Sequence, residues 1–127
     1  NINASLGTYS GATNGGRIGG LVGDSSKGIE NSYASGKFIS ATKSYGNFIG
    51  GLVGYISVLG TITNSYSSVE NIYAGSNSYV GGLVGYGYTY LTGINNSFST
   101  PIVTSTGSSV GKFIGSVSCA PACITNS

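Results

Sequence analysis

The chain has 127 residues with 5 basic and 3 acidic side chains, and Gly, Ser, Thr and Asn make up about half of it. It contains no His, which excludes Ser-His and Cys-His catalytic sites and His-based metal sites. Five dispersed cations and no long apolar run argue against nucleic-acid binding and membrane insertion. An apolar content of 39% with little charge predicts a packed fold, and the hydroxyl- and amide-rich surface indicates an extracellular or cell-surface protein.

Two motifs alternate along the chain with a constant period. Gly-Gly-Leu-Val-Gly ends at Gly23, Gly54 and Gly85, and a diverged copy, Gly-Lys-Phe-Ile-Gly, ends at Gly115. Each copy is followed by an isoleucine and an Asn-Ser pair, whose asparagines are Asn31, Asn64, Asn96 and Asn126. A fixed spacing of about 31 residues predicts a solenoid, a propeller or an array of repeats.

The residue types within each repeat favour β-strands. Runs such as residues 47–49 and 51–55 are rich in β-branched and aromatic residues and are separated by Gly, Asn and Ser. We therefore predict an all-β chain that forms a right-handed parallel β-solenoid (β-helix) of about four rungs in a single domain, 1–127. The repeats cover approximately 10–39, 40–72, 73–103 and 104–127, with 1–9 completing a rung.

Alignment of the repeats places like residues in columns, which would stack about 4.8 Å apart in successive rungs. The glycines are expected at corners where φ is positive or where two backbones approach closely. The motif asparagines are expected to form an amide ladder at a turn. The predicted apolar columns are Ile18/Ile49/Val80/Val110, Leu21/Leu52/Leu83/Phe113, Val22/Val53/Val84/Ile114, Ile29/Ile62/Ile94/Ile124 and Tyr33/Tyr66/Phe98.

Gly-Gly-Leu-Val-Gly followed by Ile-x-Asn-Ser-Tyr resembles the GLUG repeat, over almost the whole chain from about Gly11 to Ser127. That family occurs in bacterial surface adhesins and in IgA-specific metalloproteases, whose zinc motif lies in a separate domain and has no counterpart here. The resemblance implies a surface-exposed β-solenoid without catalytic residues. The fourth copy differs from the family pattern at Lys112 and Phe113.

The chain starts between two motifs and stops within one, and its two end segments together complete one repeat. We therefore expect copies to stack head to tail as structural subunits of an extracellular fibre. A piece of a longer adhesin stalk and an isolated module are the alternatives. No enzymatic activity, metal or cofactor is expected, because the few carboxylates fall far apart in the repeat alignment.

Two further sets of residues suggest covalent modification. Cys119 and Cys123 flank Ala-Pro-Ala and are predicted to form a disulfide, either within the chain or with a neighbouring subunit. Asn3 and Asn95 begin N-glycosylation sequons, and attached glycans would keep an almost uncharged rod soluble.

A group of tyrosines follows the glycine corners and suggests a binding face. Exposed rings on a flat β-face stack on sugars, which makes a carbohydrate- or surface-binding stalk module the alternative function. Packing of the rings on each other across rungs is the competing interpretation. The residues concerned are Tyr55, Tyr86, Tyr88 and Tyr90.

Overall fold

A computed structural model of the chain describes residues 16–41, 46–57, 60–88, 93–117 and 124–125, which form sixteen β-strands and no helix. The strands succeed one another in four coils, which we call rungs. Rung 1 contains β1 (Arg17–Gly19), β2 (Val22–Ser25), β3 (Ile29–Glu30) and β4 (Tyr33–Ala41). Rung 2 contains β5 (Phe48–Gly50), β6 (Val53–Ile56), β7 (Thr61–Thr63) and β8 (Tyr66–Ala74). Rung 3 contains β9 (Tyr79–Gly81), β10 (Val84–Gly87), β11 (Gly93–Asn95), β12 (Phe98–Ser99) and β13 (Ile102–Ser105). Rung 4 contains β14 (Ser109–Gly111), β15 (Ile114–Val117) and β16 (Ile124–Thr125).

Equivalent strands of successive rungs pair to form four sheets, and every pairing is parallel. Sheet A has the order β1-β5-β9-β14, sheet B β2-β6-β10-β15 and sheet C β3-β7-β11-β16. In sheet D, β8 pairs with β4 on one side and with β12 and β13 on the other. The predicted all-β parallel solenoid of four rungs is confirmed.

The register of the pairings follows the repeat alignment. Ile49 lies between Ile18 and Val80, and Val80 in turn pairs with Val110. The valine column of sheet B, the isoleucine column of sheet C and the aromatic column of sheet D are aligned in the same way. A chain that repeats its apolar residues at the rung period therefore places like residues opposite one another. Rungs 2 and 3 bury the aliphatic columns completely, whereas the aromatic column of sheet D stays partly exposed.

The leucine column lies at the corner between sheets A and B, where the hydrogen bonding continues without a break. The carbonyl of Leu52 accepts bonds from the N–H groups of Leu21 and Val22, at 3.0 and 3.2 Å. The carbonyl of Phe113 accepts the equivalent bonds from Leu83 and Val84, at 2.8 and 3.1 Å. The diverged fourth copy of the motif thus keeps the same corner.

The motif glycines allow sheets A and B to pack backbone against backbone. A Cβ atom on Gly54 would lie 2.5 Å from the nitrogen of Ile18 and 2.8 Å from the carbonyl oxygen of Gly23. A Cβ on Gly115 would lie 2.6 Å from the nitrogen of Val80. Among the described glycines only Gly46 has a positive φ, at 44°. Of the two reasons expected for the glycines, close approach is therefore the one that applies at these corners.

Replacing Gly54 by Ala is expected to destabilise the fold by about 3 kcal/mol or more, because the atoms that a Cβ would meet belong to the backbone and cannot rotate away. Urea unfolding followed by circular dichroism measures this change.

Gly46→Asn is the matched control. No described atom lies within 4 Å of the Cβ position at Gly46, and Asn tolerates a positive φ. We expect its unfolding free energy to stay within about 0.5 kcal/mol of the parent. Equal losses in the two variants would contradict close backbone packing as the role of Gly54.

Candidate functional site

The asparagines of the first three motifs occupy the same turn in rungs 1, 2 and 3 and form a side-chain ladder. Asn31, Asn64 and Asn96 have φ values of 49°, 50° and 49°, a left-handed conformation that Asn adopts more readily than most residues. The Nδ2 of Asn64 donates to Oδ1 of Asn31 at 3.2 Å, and the Nδ2 of Asn96 donates to Oδ1 of Asn64 at 3.3 Å. Asn therefore serves two purposes here, since it fits the turn and bonds its neighbours. Asn126 lies outside the described residues.

The serines that follow Asn31, Asn64 and Asn96 form a second ladder, which is buried at Ser65 and Ser97. The hydroxyl of Ser65 donates to the carbonyl of Thr63 at 2.8 Å and accepts the N–H of Ser32 at 3.2 Å. The hydroxyl of Ser97 makes the equivalent bonds with the carbonyl of Asn95 and the N–H of Ser65. Each hydroxyl therefore closes its own turn and binds the adjacent rung, which explains why Asn is followed by Ser.

Asn64→Ala is expected to lose about 2 kcal/mol of unfolding free energy, because Ala gives up both amide bonds and fits the left-handed turn poorly. Asn64→Gly removes the same bonds but suits the turn, so about 1 kcal/mol is expected to be lost. Thermal unfolding of both variants separates the two contributions.

Asn77→Gly provides the control for that pair of variants, because Asn77 is exposed and also has a positive φ, 57°. We expect a change within about 0.5 kcal/mol. A parent-like stability of Asn64→Gly would mean that the amide ladder contributes nothing.

A further polar stack, not predicted from the sequence, lies at the start of sheet A. Asn47 is 6% exposed, and its Oδ1 accepts the N–H of Gly16 at 2.8 Å. Its Nδ2 donates to Oγ of Ser78 at 3.4 Å, one rung further on. Asn47 and Ser78 occupy equivalent positions, each just before the aromatic residue that begins its strand, and that recurrence was the available signal.

Tyr33, Tyr66 and Phe98 form an aromatic column along sheet D. The rings of Tyr33 and Tyr66 lie 5.1 Å apart between centroids at an interplanar angle of 7°, and those of Tyr66 and Phe98 lie 4.8 Å apart at 1°. The parallel in-register strands impose this spacing on equivalent side chains.

Three of the four tyrosines predicted as a binding face belong to a larger group, which we call the aromatic rim. Tyr55 and Tyr86 stack at 5.8 Å and 4°, and Tyr88 lies 6.3 Å from Tyr55 and 6.5 Å from Tyr86. Phe48 and Tyr79 of sheet A contact them across the glycine corner, at 5.4 Å to Tyr55 and 5.3 Å to Tyr86, respectively. The aromatic rim consists of Phe48, Tyr55, Tyr79, Tyr86 and Tyr88.

Phe48 and Tyr79 were not among the predicted residues, although the sequence contains a spacing that indicates them. Each corner pairs a residue with the one seven positions later, Phe48 with Tyr55 and Tyr79 with Tyr86. Tyr90 lies outside the described residues.

One ion pair occupies the equivalent place in rung 1. Arg17 binds Asp24, seven residues later, and its guanidinium carbon lies 4.1 Å from the centroid of the Tyr55 ring. Burial raises the pKa of Tyr55 above its ordinary value, and the positive charge of Arg17 partly opposes that shift. Both side chains of the pair are more than 40% exposed, so the ion pair adds little stability. Its main effect is to place two opposite charges next to the aromatic rim.

The predicted modification sites are only partly within the described residues. Asn3, Cys119 and Cys123 lie outside them. Asn95 is half-buried on β11, and Ser97 of the same sequon is 1% exposed with its hydroxyl bonded to the Asn95 carbonyl. The folded turn therefore does not present this sequon's hydroxyl at the surface, and a glycan on Asn95 would have to be attached before the turn closes.

Among the described residues, no three His, Cys, Asp or Glu side chains come together in a way that could hold a metal ion. Nor does that part of the chain contain a helix long and apolar enough to span a membrane.

Neither a protein-family model nor a curated protein nor a solved structure matches the chain. The resemblance to the GLUG repeat therefore stays a prediction that rests on the motif residues.

Proposed function

We propose that this chain is a structural subunit of an extracellular fibre, in which copies stack head to tail as successive coils of one solenoid. The main support for this proposal is the exposed apolar edge formed by rung 4 in sheet A and by the rung 3 strands β12 and β13 in sheet D. Val110 is 45% exposed, whereas Val80, its partner in the preceding rung, is 0% exposed. Phe98 and Ile102, on the outermost strands of sheet D, are 52% and 65% exposed. A further coil would cover Val110 as rung 4 covers Val80, and it would stack on Phe98 and Ile102 in sheet D.

The opposite edge of the described solenoid matches this surface in chemistry. Within the described residues, β1, β2 and β3 are the outermost strands of sheets A, B and C at rung 1. Ile18 and Val22 continue the same columns as Val110 and Ile114, and both are only partly buried. Stacking rung 1 on rung 4 would repeat the contacts already made between rungs 1 and 2, through backbone pairing and apolar burial. Such a contact does not close on itself, so it propagates as a filament.

Composition supports placing the fibre outside the cell. The chain carries only 8 charged residues among 127, and its exposed turns present Asn amides. A rod of this kind transmits load through its continuous backbone ladders and needs no catalytic group. Glycans at Asn3 or Asn95 would add hydration to a surface with so little charge.

Negative-stain electron microscopy and sedimentation of the purified chain test the proposal. We expect filaments from the parent and monomers from Val110→Lys, because a lysine there places a charge on the apolar stacking surface. Tyr73→Lys is the matched control, since Tyr73 is also 45% exposed but lies on β8, between β4 and the strands of rung 3. Monodisperse parent particles would overturn the fibre and favour a module of a longer stalk.

The aromatic rim favours a second candidate function, carbohydrate binding by a stalk module. Tyr88 is 45% exposed beside stacked tyrosines, and the Arg17–Asp24 pair offers donors and acceptors for sugar hydroxyls. The fibre remains the better proposal, because Tyr55 has Arg17 and Tyr86 against its ring and is not open to a sugar.

Tyrosine fluorescence tests the sugar site directly, because the chain has no Trp. If the rim binds sugars, titration with oligomers of glucose or N-acetylglucosamine will give a saturable change that Tyr88→Ala weakens about tenfold, equivalent to roughly 1.4 kcal/mol. Tyr73→Ala should leave the titration unchanged. A flat titration of the parent would remove this candidate.

A further inference from the structure

Tyr33 and Tyr66 place two phenol rings face to face between adjacent rungs of sheet D. The two residues are directly opposite each other on β4 and β8, and their rings lie 5.1 Å apart and 7° from parallel. The pairing of β4 with β8 holds the two residues in place. Because both side chains are only half-buried, small solutes still reach them. Two reactive groups held in this way react as if at a very high local concentration.

We propose that Tyr33 and Tyr66 are a site of oxidative cross-linking, in which a dityrosine bond joins rung 1 to rung 2. The oxidant is hydrogen peroxide acting through a peroxidase. Each phenol loses one electron and one proton, and the two phenoxyl radicals couple at a ring carbon next to the hydroxyl-bearing carbon. The hydrogens displaced from those carbons return to the phenol oxygens. The protein therefore loses two hydrogen atoms in total, and the peroxide becomes two molecules of water.

The surrounding residues limit the reaction in sheet D to this pair. The next ring of the column is Phe98, 4.8 Å from Tyr66, and it has no hydroxyl to oxidise. Tyr73, also on β8 and 45% exposed, has Ser40 and Thr104 opposite it in the adjacent strands. A radical formed on Tyr73 therefore has no tyrosine opposite it with which to couple.

The stacked tyrosines of the aromatic rim are a weaker site. Tyr55 and Tyr86 are nearly parallel, but their centroids are 5.8 Å apart, and the Arg17 guanidinium lies over the Tyr55 ring. A positive charge on the ring face opposes removal of an electron from that ring. The geometry thus favours Tyr33–Tyr66 over Tyr55–Tyr86.

A bond between Tyr33 and Tyr66 would close a covalent loop that spans one complete rung. Unfolding would then have to leave rungs 1 and 2 attached at sheet D, which restricts the unfolded chain as a disulfide does. The cross-link does not require fibre formation, because both tyrosines belong to the same chain and pair within one solenoid.

The test treats the folded chain with peroxidase and hydrogen peroxide at low protein concentration. We expect dityrosine fluorescence, a monomer mass lower by two hydrogen atoms, and a cross-linked peptide containing Tyr33 and Tyr66. Tyr33→Phe keeps the ring stack and is expected to remove most of the fluorescence. Tyr73→Phe is the matched control and should react like the parent.

Treatment in concentrated urea separates geometry from intrinsic reactivity, because unfolding removes the stacking. We expect the Tyr33–Tyr66 peptide to lose its predominance there. The proposal is overturned if Tyr33→Phe cross-links as efficiently as the parent, if the cross-links fall mainly between Tyr55 and Tyr86, or if they form mainly between molecules. A circular dichroism spectrum equal to the parent's establishes that each variant is folded.

Discussion

The parallel, in-register pairing of each strand with its equivalent one repeat later is the constraint on which the rest of the structure depends. Backbone bonds in this arrangement hold equivalent residues of neighbouring rungs directly opposite one another. Each side chain is therefore placed next to its counterparts in the neighbouring rungs, and a column of identical residues must be made of residues that tolerate stacking on themselves. Aliphatic, aromatic, amide and hydroxyl side chains meet this requirement, whereas like charges do not. The scarcity of charge in the sequence is consistent with this requirement.

The glycine corner adds a second constraint, since sheets A and B lie too close for any side chain between them at these positions. Gly54 and Gly115 each face the backbone of sheet A, in different rungs, so the close approach is a property of the repeat. The tight corner also brings residues seven positions apart into contact, as in Phe48 and Tyr55. The aromatic rim is thus a consequence of the same glycines that close the corner.

Stacking also allows polar side chains to be buried, because neighbouring rungs supply their hydrogen-bond partners. The hydroxyls of Ser65 and Ser97 each bond within their own rung and to the adjacent rung. The amide of Asn47 bonds to Gly16 in the rung before it and to Ser78 in the rung after it, so the burial of these groups costs little. Ser67 departs from this rule within the described residues, because its hydroxyl is buried without a hydrogen-bond partner. It faces Gly51 so closely that a Cβ on that glycine would lie 2.9 Å from the Cβ of Ser67. The close approach of Gly51 favours a small side chain at position 67, and this explains Ser67 better than its polarity does.

The sequence by itself determined the fold class, the rung period and the content of the columns. In a parallel solenoid each repeat forms one rung, so residues one period apart in the sequence become neighbours in adjacent rungs. The stacking of Ile49 on Val80 and of Asn64 on Asn96 is predicted by counting residues from one repeat to the next. Only the tertiary structure decided which columns of adjacent sheets come into contact around a corner, because these contacts depend on how sharply the backbone bends there. The contact of Arg17 with the Tyr55 ring and the close packing of Gly54 on Ile18 both arise across the corner between sheets A and B. A repeat alignment predicts which residues are neighbours along the solenoid axis. The bend of the backbone at the glycines sets the distances between side chains of adjacent sheets.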